Sequence, residues 1–557
     1  MKAATQLRAG LIFLLLFFVQ GILFIRANSP TYDEAMHLAA GYSYLAKRDF
    51  RLEPQNPPFV KELLALPVFL YYRFPFNPDI QLWRNGDGYL IGQELLYKST
   101  LPAERMLFLS RFPNLFLGGA LLALTGWWAY RLWGGWAAML AMALASVEPN
   151  LIAHSSLVTT DTGAALFIFF TIYLLWEYLN FPSWALLAAS GITMGMSLVS
   201  KFSAIILIPM IILLLGFSLF LGSQSRFIPD TKRDRTPTQK FLEVFILFFF
   251  IVLFGSFMIP LAYLFQGIQP WLAGLRRFFV LAEQGQLAFF LGDYSYQGWW
   301  NYFLVAFLIK TPIGTLVLVF ASLVFCRAGT PLGRRETIFL LSPVIFLFIT
   351  LTQAKVNIGL RHMLPIYPFL FILASRVTTI RFRSACLVHL LITFPVLLTA
   401  ISSLRLVPHQ LAYFNEFVGG PGQGYRYLSD SNIDWGQELK GVKAYMDQEN
   451  LPIIYLSYFG TAPPSYYGIR YQYVPGSWPL EWPPPSDRVP ATARKILAIS
   501  VRNLQDASIP HIPLFGWLRQ RQPIAKIGYS IFVYDLTDDQ EGLTKLQESY
   551  VKAGVTL

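Results

Sequence analysis

Apolar segments of membrane-spanning length recur along the first two-thirds of this sequence. In a helix, about 20 apolar residues cross the ~30 Å hydrocarbon core of a bilayer. The 557-residue chain is 55% hydrophobic and only 14% charged. We therefore predict a polytopic α-helical membrane protein with about eleven transmembrane helices, at residues 11–25, 109–132, 135–151, 162–179, 184–200, 203–222, 241–265, 301–325, 337–352, 363–377 and 384–404.

One of these segments is interrupted. Lys310-Thr311-Pro312 falls inside the apolar run 301–325, and proline cannot continue a helix without losing a backbone hydrogen bond. A short interfacial helix followed by a shorter span is therefore an alternative to one continuous span.

A long polar and aromatic stretch separates the first two apolar segments. It covers residues 27–108, and within it residues 59–74 have an amphipathic pattern. Such a pattern is typical of a helix that lies in the membrane interface. We predict a first exported loop that contains an interfacial helix.

The orientation follows from short loops rich in lysine and arginine, which mark the cytoplasmic side. With the N-terminus in the cytoplasm, three such loops fall inside and an odd helix count places residues 405–557 outside. Neither cysteine, Cys326 or Cys386, falls in the exported part, so no disulfide is expected there. The absence of N-x-Ser/Thr sequons favours a bacterial plasma (inner) membrane. The basic residues are Arg226, Lys232, Arg233, Arg235, Lys240, Arg327, Arg334, Arg335, Arg376, Arg381 and Arg383.

The net charge of +12 does not indicate nucleic-acid binding. A nucleic-acid interface collects lysine and arginine on one face or stripe. Here these residues lie mainly between apolar runs, as membrane topology requires.

The C-terminal tail has the pattern of a soluble α/β domain. Strand-like runs occur at 453–459, 495–501 and 524–534, joined by segments rich in proline and glycine. We predict a transmembrane domain over 1–404 and an extracytoplasmic α/β domain over 405–557.

Several charged or titratable residues fall at the predicted outer ends of the helices. A charge at mid-membrane costs several kcal/mol of free energy. A charge at a helix end costs less, but its position can still indicate a functional site. Each has a plainer interpretation: the acids cap helices, and the basic residues snorkel to the interface or anchor there. Their convergence instead predicts an outer-face cleft for an anion and a nucleophile. The residues are Asp33, Glu34, Arg111, His154, Asp161, Lys310, Arg361 and His362.

The same distribution argues against an ion-coupled transporter. Such proteins place ionisable residues near the bilayer midplane, often on broken helices. In this chain the middles of most apolar segments are almost free of charge.

Several motifs in residues 10–400 resemble the protein O-mannosyltransferase family, and with it the aminoarabinose transferases. Both groups are membrane glycosyltransferases of C-type fold. The order of the motifs, together with the matching topology, is more specific than any one of them. They are Thr31-Tyr32-Asp33-Glu34-Ala35-Met36-His37, Asn56-Pro57-Pro58-Phe59-Val60-Lys61, Ser110-Arg111-Phe112-Pro113, Ala153-His154-Ser155 with Thr160-Asp161, Lys310-Thr311-Pro312, and Gly359-Leu360-Arg361-His362.

The tail is similar to a bacterial, polyprenyl-phosphate-sugar dependent branch of these enzymes. The similarity rests on Ala412-Tyr413-Phe414-Asn415-Glu416 and on Asp430-Ser431-Asn432-Ile433-Asp434-Trp435-Gly436-Gln437. The tail does not resemble the sugar-binding domains of the eukaryotic mannosyltransferases, which leaves the sugar and the acceptor open.

The resemblance implies transfer of a sugar from a polyprenyl-phosphate carrier to an acceptor hydroxyl outside the cytoplasm, with inversion by single displacement. The acceptor is then a glycan, lipid or protein. By similarity Asp33 is the base, and Glu34 and Asp161 orient the acceptor or shape the field at the base. The residues expected at the lipid phosphate are Arg111, Lys310, Arg361 and His362.

Two matters stay open at this point. No cofactor is certain, but Glu34, His154 and Asp161 offer ligands for a divalent metal, and some C-type relatives use one. The alternative functions are a polyprenyl-lipid flippase or carrier without chemistry, and a glycan polymerase or ligase with a diphosphate-linked donor.

Overall fold

The computed structural model describes residues 3–73, 76, 79–220, 236–325, 333–380, 384–476, 487–506 and 512–555. Much of the basic-loop signal lies outside these ranges, and the orientation of the chain therefore stays a prediction. The residues concerned are Arg226, Lys232, Arg233, Arg235, Cys326, Arg327, Arg381 and Arg383.

Helices dominate the first 404 residues. In chain order they are α1 (Ala3–Ala27), α2 (Glu34–Lys47), α3 (Pro58–Tyr72), α4 (Ile80–Asn85), α5 (Gly88–Gln93), α6 (Ala103–Trp133), α7 (Gly135–Ser146), α8 (Pro149–Ser155), α9 (Asp161–Asn180), α10 (Trp184–Leu198), α11 (Leu207–Phe220), α12 (Pro237–Ser256), α13 (Met258–Ala262), α14 (Gln269–Gln284), α15 (Tyr302–Lys310), α16 (Ile313–Val324), α17 (Arg334–Leu351), α18 (Tyr367–Ser375), α19 (Ala385–Val388) and α20 (Phe394–Leu404). A short hairpin, β1 (Ala288–Phe290) and β2 (Asp293–Ser295), follows α14.

Helical structure lies in each of the eleven predicted apolar segments. Within the described ranges, four helical stretches are by themselves long and apolar enough to cross a membrane: Gln6–Ala27, Ala103–Trp133, Asp161–Asn180 and Pro237–Ala262. Two bent pairs, α7 with α8 and α15 with α16, raise the number to six if each pair is one span. A membrane protein with several spans is thus supported, and the count of eleven stays a prediction.

The interruption predicted at Lys310-Thr311-Pro312 is present. Helices α15 and α16 meet there at an angle of 108°. Pro312 lacks the backbone N–H that a continuous helix would need, and its ring disfavours helical geometry at Thr311. Thr311 is accordingly extended, and the side chain of Lys310 leaves the helix at this corner.

The loop at residues 27–108 contains two helices in close contact, α2 and α3. Gly41 of α2 lies against the backbone of α3, and a β-carbon there would come within 2.2 Å of the Lys61 carbonyl oxygen. A larger side chain would therefore push the helices apart. Helix α3 forms where residues 59–74 predicted one, and its place in the interface stays a prediction.

Strands form in all three predicted runs of the tail, but the run 524–534 holds two strands rather than one, and residues 471–473 form a strand that was not predicted. A five-stranded sheet has the order β4 (Tyr471–Tyr473), β3 (Ile454–Ser457), β5 (Ile496–Ser500), β7 (Ile531–Asp535) and β6 (Ala525–Ile527). Strands β4, β3 and β5 are parallel, whereas β7 runs antiparallel to both of its neighbours. Helices α21 (Leu439–Gln448), α22 (Val501–Leu504) and α23 (Gln540–Lys552) complete this α/β unit.

The segment between the last membrane-side helix and the sheet contacts the helical part. The Asn415 amide donates a hydrogen bond to the Thr311 carbonyl at 3.0 Å, and the Asn432 amide donates to the Tyr302 hydroxyl at 2.9 Å. Both tail residues are buried. These contacts carry the start of the tail into the region where the functional residues lie. The division of the chain at residues 404 and 405 stays a prediction.

Candidate active site

A cavity of about 330 Å³ lies where the loop at residues 27–108, the turn before α18 and the tail meet. Its charged lining residues are Asp33, Glu53, Arg361, Asp430 and Arg502. Its aromatic lining residues are Tyr32, Tyr89, Trp435 and Phe459. Carboxylates, guanidinium groups and aromatic faces together suit a ligand that carries both hydroxyl and anionic groups.

Asp33 faces this cavity from the residue that precedes α2. Its side chain is 18% exposed and makes no cap hydrogen bond to its own helix. The partners of the carboxylate are distant: Arg361 Nη1 at 3.4 Å and the Tyr89 hydroxyl at 3.5 Å. Burial raises the pKa of Tyr89, so this hydroxyl keeps its proton. Asp33 is thus an accessible carboxylate with spare accepting capacity.

Arg361 joins Asp33 to Asp161. Its Nη1 lies 3.9 Å from Asp161 Oδ2, and Asp161 in turn forms an ion pair with Lys201. The guanidinium carbon lies 4.3 Å from the centre of the Trp435 ring. The Arg361 Nε is buried without a hydrogen-bond partner. The structure therefore brings Asp33, Asp161 and Arg361 together, and adds Lys201 and Trp435.

Arg111 and Glu34 form a closed pair beneath the cavity lining. All five N–H donors of Arg111 are used: two donate to the Glu34 carboxylate at 2.7 and 2.8 Å, and three donate to backbone carbonyls of residues 25–29. Glu34 also accepts from the Val158 N–H at 2.7 Å. These contacts use every N–H donor of Arg111 within the chain, and its assignment to the lipid phosphate stays a prediction.

The charge on Glu34 is maintained by these contacts. Burial alone would raise the pKa of the Glu34 carboxyl, but the Arg111 charge and the hydrogen bonds from Arg111, Thr31 and Val158 bring that pKa below its usual value. Glu34 has no exposed surface. Its place is under the start of α2, where it fixes the backbone that presents Asp33.

Lys310 is likewise enclosed. Its ammonium group donates to the carbonyls of Leu411 and Tyr413 at 3.1 and 3.0 Å and to the carbonyl of Asn432. It also lies over the Phe414 ring, 4.6 Å from the centroid. Its three N–H donors are used within the chain, and the prediction that Lys310 binds the lipid phosphate stays a prediction, as for Arg111. Its three donors hold the start of the tail against the 108° corner.

The two histidines are buried beside this cluster rather than in the cavity lining. His362 Nε2 and His154 Nδ1 have no hydrogen-bond partner. The His154 ring lies 6.2 Å from Trp435 and the His362 ring 6.0 Å from Phe303. His362 follows Arg361 directly, but it presents no contact that would direct it to the same ligand.

The metal ligands considered from the sequence do not come together. Among the residues that the structure describes, no group of three His, Cys, Asp or Glu side chains could hold a metal ion. Glu34 is committed to Arg111 and backbone N–H groups, and Asp161 is committed to Lys201 and Arg361. The set Glu34, His154 and Asp161 is therefore corrected as a metal site.

A buried charge cluster supports the cavity wall formed by the loop at residues 27–108. The Glu53 carboxylate lies 2.7 Å from His37 Nδ1 and 3.3 Å from Lys61 Nζ, and it accepts from the Asn56 amide at 2.5 Å. Burial alone would raise the pKa of Glu53, but the charges of His37 and Lys61 lower it to about 2. Pairing of this kind lets a carboxylate stay ionised beside the cavity.

The tail supplies a second buried arginine. Arg502 Nη1 donates to the Asp430 carboxylate, and the guanidinium carbon lies 4.7 Å from the centre of the Phe459 ring. Phe459 also stacks on Tyr32, with ring centres 4.9 Å apart. Like that of Arg361, the Nε of Arg502 is buried without a partner.

Sequence reasoning did not select Lys201, Trp435, Asp430, Arg502 or Glu53. Two signals were present in the sequence. Lys201 interrupts the apolar stretch between 184 and 222, and Asp430 and Trp435 lie inside the tail motif already noted. Arg502 and Glu53 carry no local signal, because only long-range packing brings them to the cavity.

Part of the chain matches a known family. Residues 10–270 match the sequence profile described as dolichyl-phosphate-mannose-protein mannosyltransferase. That range includes Asp33, Glu34, Arg111 and Asp161, whereas Arg361 and the tail lie beyond it. No curated protein matches the chain.

Solved structures extend the likeness. ArnT from Cupriavidus metallidurans in the apo state aligns with a TM-score of 0.50 and 14% identity, over 96% of this chain and 98% of ArnT. The same protein bound to undecaprenyl phosphate gives 0.47 and 13%, over 94% and 97%. The archaeal oligosaccharyltransferase AglB from Archaeoglobus fulgidus, in complex with an inhibitory peptide and a dolichol-phosphate, gives 0.39 and 13%, over 70% and 56%. The predicted resemblance to the mannosyltransferase and ArnT group of C-type membrane glycosyltransferases is confirmed.

Proposed function

We propose that this chain is a glycosyltransferase that moves a sugar from a polyprenyl-phosphate carrier to a hydroxyl group of a glycan, lipid or protein acceptor. The reaction takes place on the outer side of the plasma (inner) membrane, with the N-terminus in the cytoplasm. The observation that carries the proposal is the accessible Asp33 carboxylate beside the Arg361 guanidinium in one cavity. A base and an anion-binding cation are the two groups that this transfer needs.

Asp33 acts as the general base. The acceptor oxygen attacks the anomeric carbon of the sugar, and its proton passes to the Asp33 carboxylate. The new C–O bond forms as the bond between the anomeric carbon and the phosphate oxygen breaks, so one displacement inverts the anomeric centre. The long contacts of Asp33 with Arg361 and Tyr89, 3.4 and 3.5 Å, leave the carboxylate oxygens free to accept this proton.

Arg361 takes up the charge of the departing phosphate. The carrier phosphate gains a negative charge when the sugar leaves, and a guanidinium binds such an oxyanion through strong charge-assisted hydrogen bonds. Asp161 and Lys201 act through Arg361 as positioning residues, since Asp161 contacts both cations. Glu34 positions the backbone of Asp33 through Arg111.

The test uses the purified full-length chain in detergent and a set of synthetic undecaprenyl-phosphate sugars. A cell-envelope extract supplies acceptors, and mass spectrometry follows the appearance of undecaprenyl phosphate and of glycosylated product. We expect turnover of at least one donor. Asp33→Asn should lower that turnover by about 10²–10⁴-fold, the usual contribution of a positioned base.

Asp49→Asn is the matched control, because Asp49 lies in the same exported loop and its carboxylate pairs with Arg51 rather than with a cavity residue. It should retain wild-type turnover. Wild-type turnover by Asp33→Asn at equal protein levels would remove Asp33 as the base. Donor movement across a bilayer without any product would instead favour a flippase.

A further inference from the structure

Two arginines line the candidate cavity in matching environments, and they come from opposite ends of the fold. Arg361 lies in the turn before α18, and Arg502 is the second residue of α22 in the tail. Each guanidinium lies over an aromatic ring and has its Nη1 directed to a carboxylate. The side chains are 11% and 9% exposed, respectively.

The unused donors are the informative part of this arrangement. The Nε of each arginine is buried and has no hydrogen-bond partner among the residues that the structure describes. A buried N–H without a partner is unfavourable, and native structures contain few of them unless a ligand, ion or water completes the site. Two such donors, on residues that line one cavity, indicate that the cavity binds an acceptor group.

From these contacts we infer that Arg361 and Arg502 together form a two-arginine site for a phosphate group. This inference rests on the proposed function and deepens it, because it makes the tail part of the phosphate-binding surface. A guanidinium suits this ligand, since its planar set of N–H donors matches the oxygens of a phosphate. The Trp435 and Phe459 rings hold the two guanidinium planes in place.

Asp430 explains how Arg502 stays buried when no ligand is bound. The Asp430 carboxylate accepts from Arg502 Nη1 and also from the Ser431 N–H at 2.7 Å. Asp430 adopts a φ of 58°, a left-handed conformation that is uncommon outside glycine and often found at functional sites. The Asp430 carboxylate therefore neutralises the Arg502 guanidinium through Nη1. This contact leaves the Nε of Arg502 available to the phosphate.

Substitutions of the two partners of this ion pair should therefore have different effects on phosphate binding. Removing Arg502 takes away a phosphate contact, whereas removing the Asp430 charge leaves the arginine in place with less neutralisation. Arg502→Gln should weaken undecaprenyl phosphate binding on the order of 10- to 100-fold, the effect of one charge-assisted hydrogen bond. Asp430→Asn should bind undecaprenyl phosphate as tightly as the wild type or more tightly.

The measurement is quenching of tryptophan fluorescence in the purified full-length chain, titrated with undecaprenyl phosphate in detergent. Undecaprenol, which lacks the phosphate, and inorganic phosphate are titrated separately. A phosphate site for the carrier lipid predicts that Arg502→Gln loses affinity for undecaprenyl phosphate and not for undecaprenol. Competition by inorganic phosphate at millimolar concentration would identify free phosphate as a second source of the same chemistry.

Arg494→Gln is the matched control, because Arg494 is a tail arginine that is 45% exposed and pairs with Glu449 and Asp535 away from the cavity. Arg502→Lys keeps the charge and serves where Arg502→Gln fails to fold; it should show an intermediate loss. Unchanged binding by Arg502→Gln, or equal losses in Arg502→Gln and Asp430→Asn, would overturn the inference. In that case a loss of binding in Arg361→Gln would still support the proposed function, whereas a wild type that binds no undecaprenyl phosphate would contradict the proposed function as well.

Discussion

Asp33 and Glu34 are adjacent in the chain, yet each carboxylate meets an arginine in a different way. Glu34 has two hydrogen bonds from Arg111 at 2.7 and 2.8 Å and no exposed surface. Asp33 has one contact with Arg361 at 3.4 Å and lies in the wall of a cavity. The Arg111–Glu34 pair is closed, because all five N–H donors of Arg111 are used. The Arg361–Asp33 pair is open, because both its guanidinium and its carboxylate can still form hydrogen bonds with a ligand.

This difference indicates a structural role for the Arg111–Glu34 pair and a role in ligand contact for the Arg361–Asp33 pair. A buried pair whose donors and acceptors are all used resists any change, because removal of one partner leaves an uncompensated charge. A pair with long contacts and an unused Nε can exchange its internal contacts for contacts with a ligand. The closed pair therefore holds the backbone of Asp33 in place, and the open pair is the one that can contact a ligand. Substitutions in the two pairs should accordingly affect different properties.

The largest effect on stability is expected for the closed pair. Glu34→Gln should lower the free energy of unfolding by about 3–5 kcal/mol, since it leaves Arg111 buried without its carboxylate. The measurement is the thermal unfolding midpoint of the purified chain in detergent. Asp33→Asn, the matched change one residue away, should unfold within a few degrees of the wild type. Equal midpoints for the two variants would contradict the division.

For the open pair, the effect should be on turnover. Arg361→Lys keeps a positive charge but loses the planar fork and the stacking on Trp435. We expect turnover with a polyprenyl-phosphate sugar to fall about 10- to 100-fold, with an unchanged unfolding midpoint. Arg276→Lys, on the exposed side of α14, is the control and should retain turnover. Full activity in Arg361→Lys would show that a point charge is sufficient.

A third acid, the buried Asp434, extends the comparison, because none of the hydrogen bonds that it receives from the described residues comes from a cationic side chain. Its carboxylate accepts from the backbone N–H groups of Arg502 and Gly436, at 3.0 and 3.3 Å, and from the Ser500 hydroxyl. Burial raises the pKa of Asp434 to about 7 in spite of these hydrogen bonds. In the unfolded chain an aspartate has a pKa of about 3.9.

Between these two values the native state binds more protons than the unfolded state. The contribution of Asp434 to stability is therefore full below pH ~4 and is lost as the pH rises through about 7. Asp434→Asn should remove this part of the pH dependence of the unfolding midpoint between pH 5 and 8. Asp447→Asn, at a 64% exposed side chain, should not. Identical pH profiles for Asp434→Asn and the wild type would contradict the assignment.

The smallest effect is expected where both partners are in water. Arg494 pairs with Glu449 and Asp535 at 3.2 and 3.1 Å, but its side chain is 45% exposed. Exposed pairs contribute about 0–1 kcal/mol. Arg494→Gln should therefore shift the unfolding midpoint far less than Glu34→Gln. A comparable shift would mean that hydrogen-bond count, rather than burial, decides the outcome.

The sequence was sufficient for the helical segments and for one half of the site. Asp33, Asp161 and Arg361 interrupt or flank apolar runs, so their placement at helix ends could be read locally. The saturation of Arg111 and Lys310 could not, because it depends on backbone carbonyls that tertiary packing brings within hydrogen-bond distance. A basic residue at a helix end has the same local pattern whether its donors are used or free.

The site residues in the tail could not be predicted from local sequence patterns either, because only tertiary packing brings them to the cavity. Arg502 is 141 positions from Arg361, and no periodicity connects the two. Strands in the tail were predicted from apolar runs, but the packing of the tail on the loop at residues 27–108 depends on side-chain contacts such as Tyr32 with Phe459. Patterns of hydropathy indicate which face of a helix or strand is buried, but they do not indicate which other element packs against that face.

The shared lining of the cavity sets an order of events during biosynthesis. The ribosome makes Asp33 almost at once, but Trp435 and Arg502 emerge only after every membrane-side helix has been synthesised. A chain that stops before residue 430 would hold Asp33 and Arg361 without the walls that Asp430, Trp435, Phe459 and Arg502 provide. Nascent and truncated chains would thus lack an enclosed pocket, and a reactive lipid-linked sugar would find its site only on a finished protein.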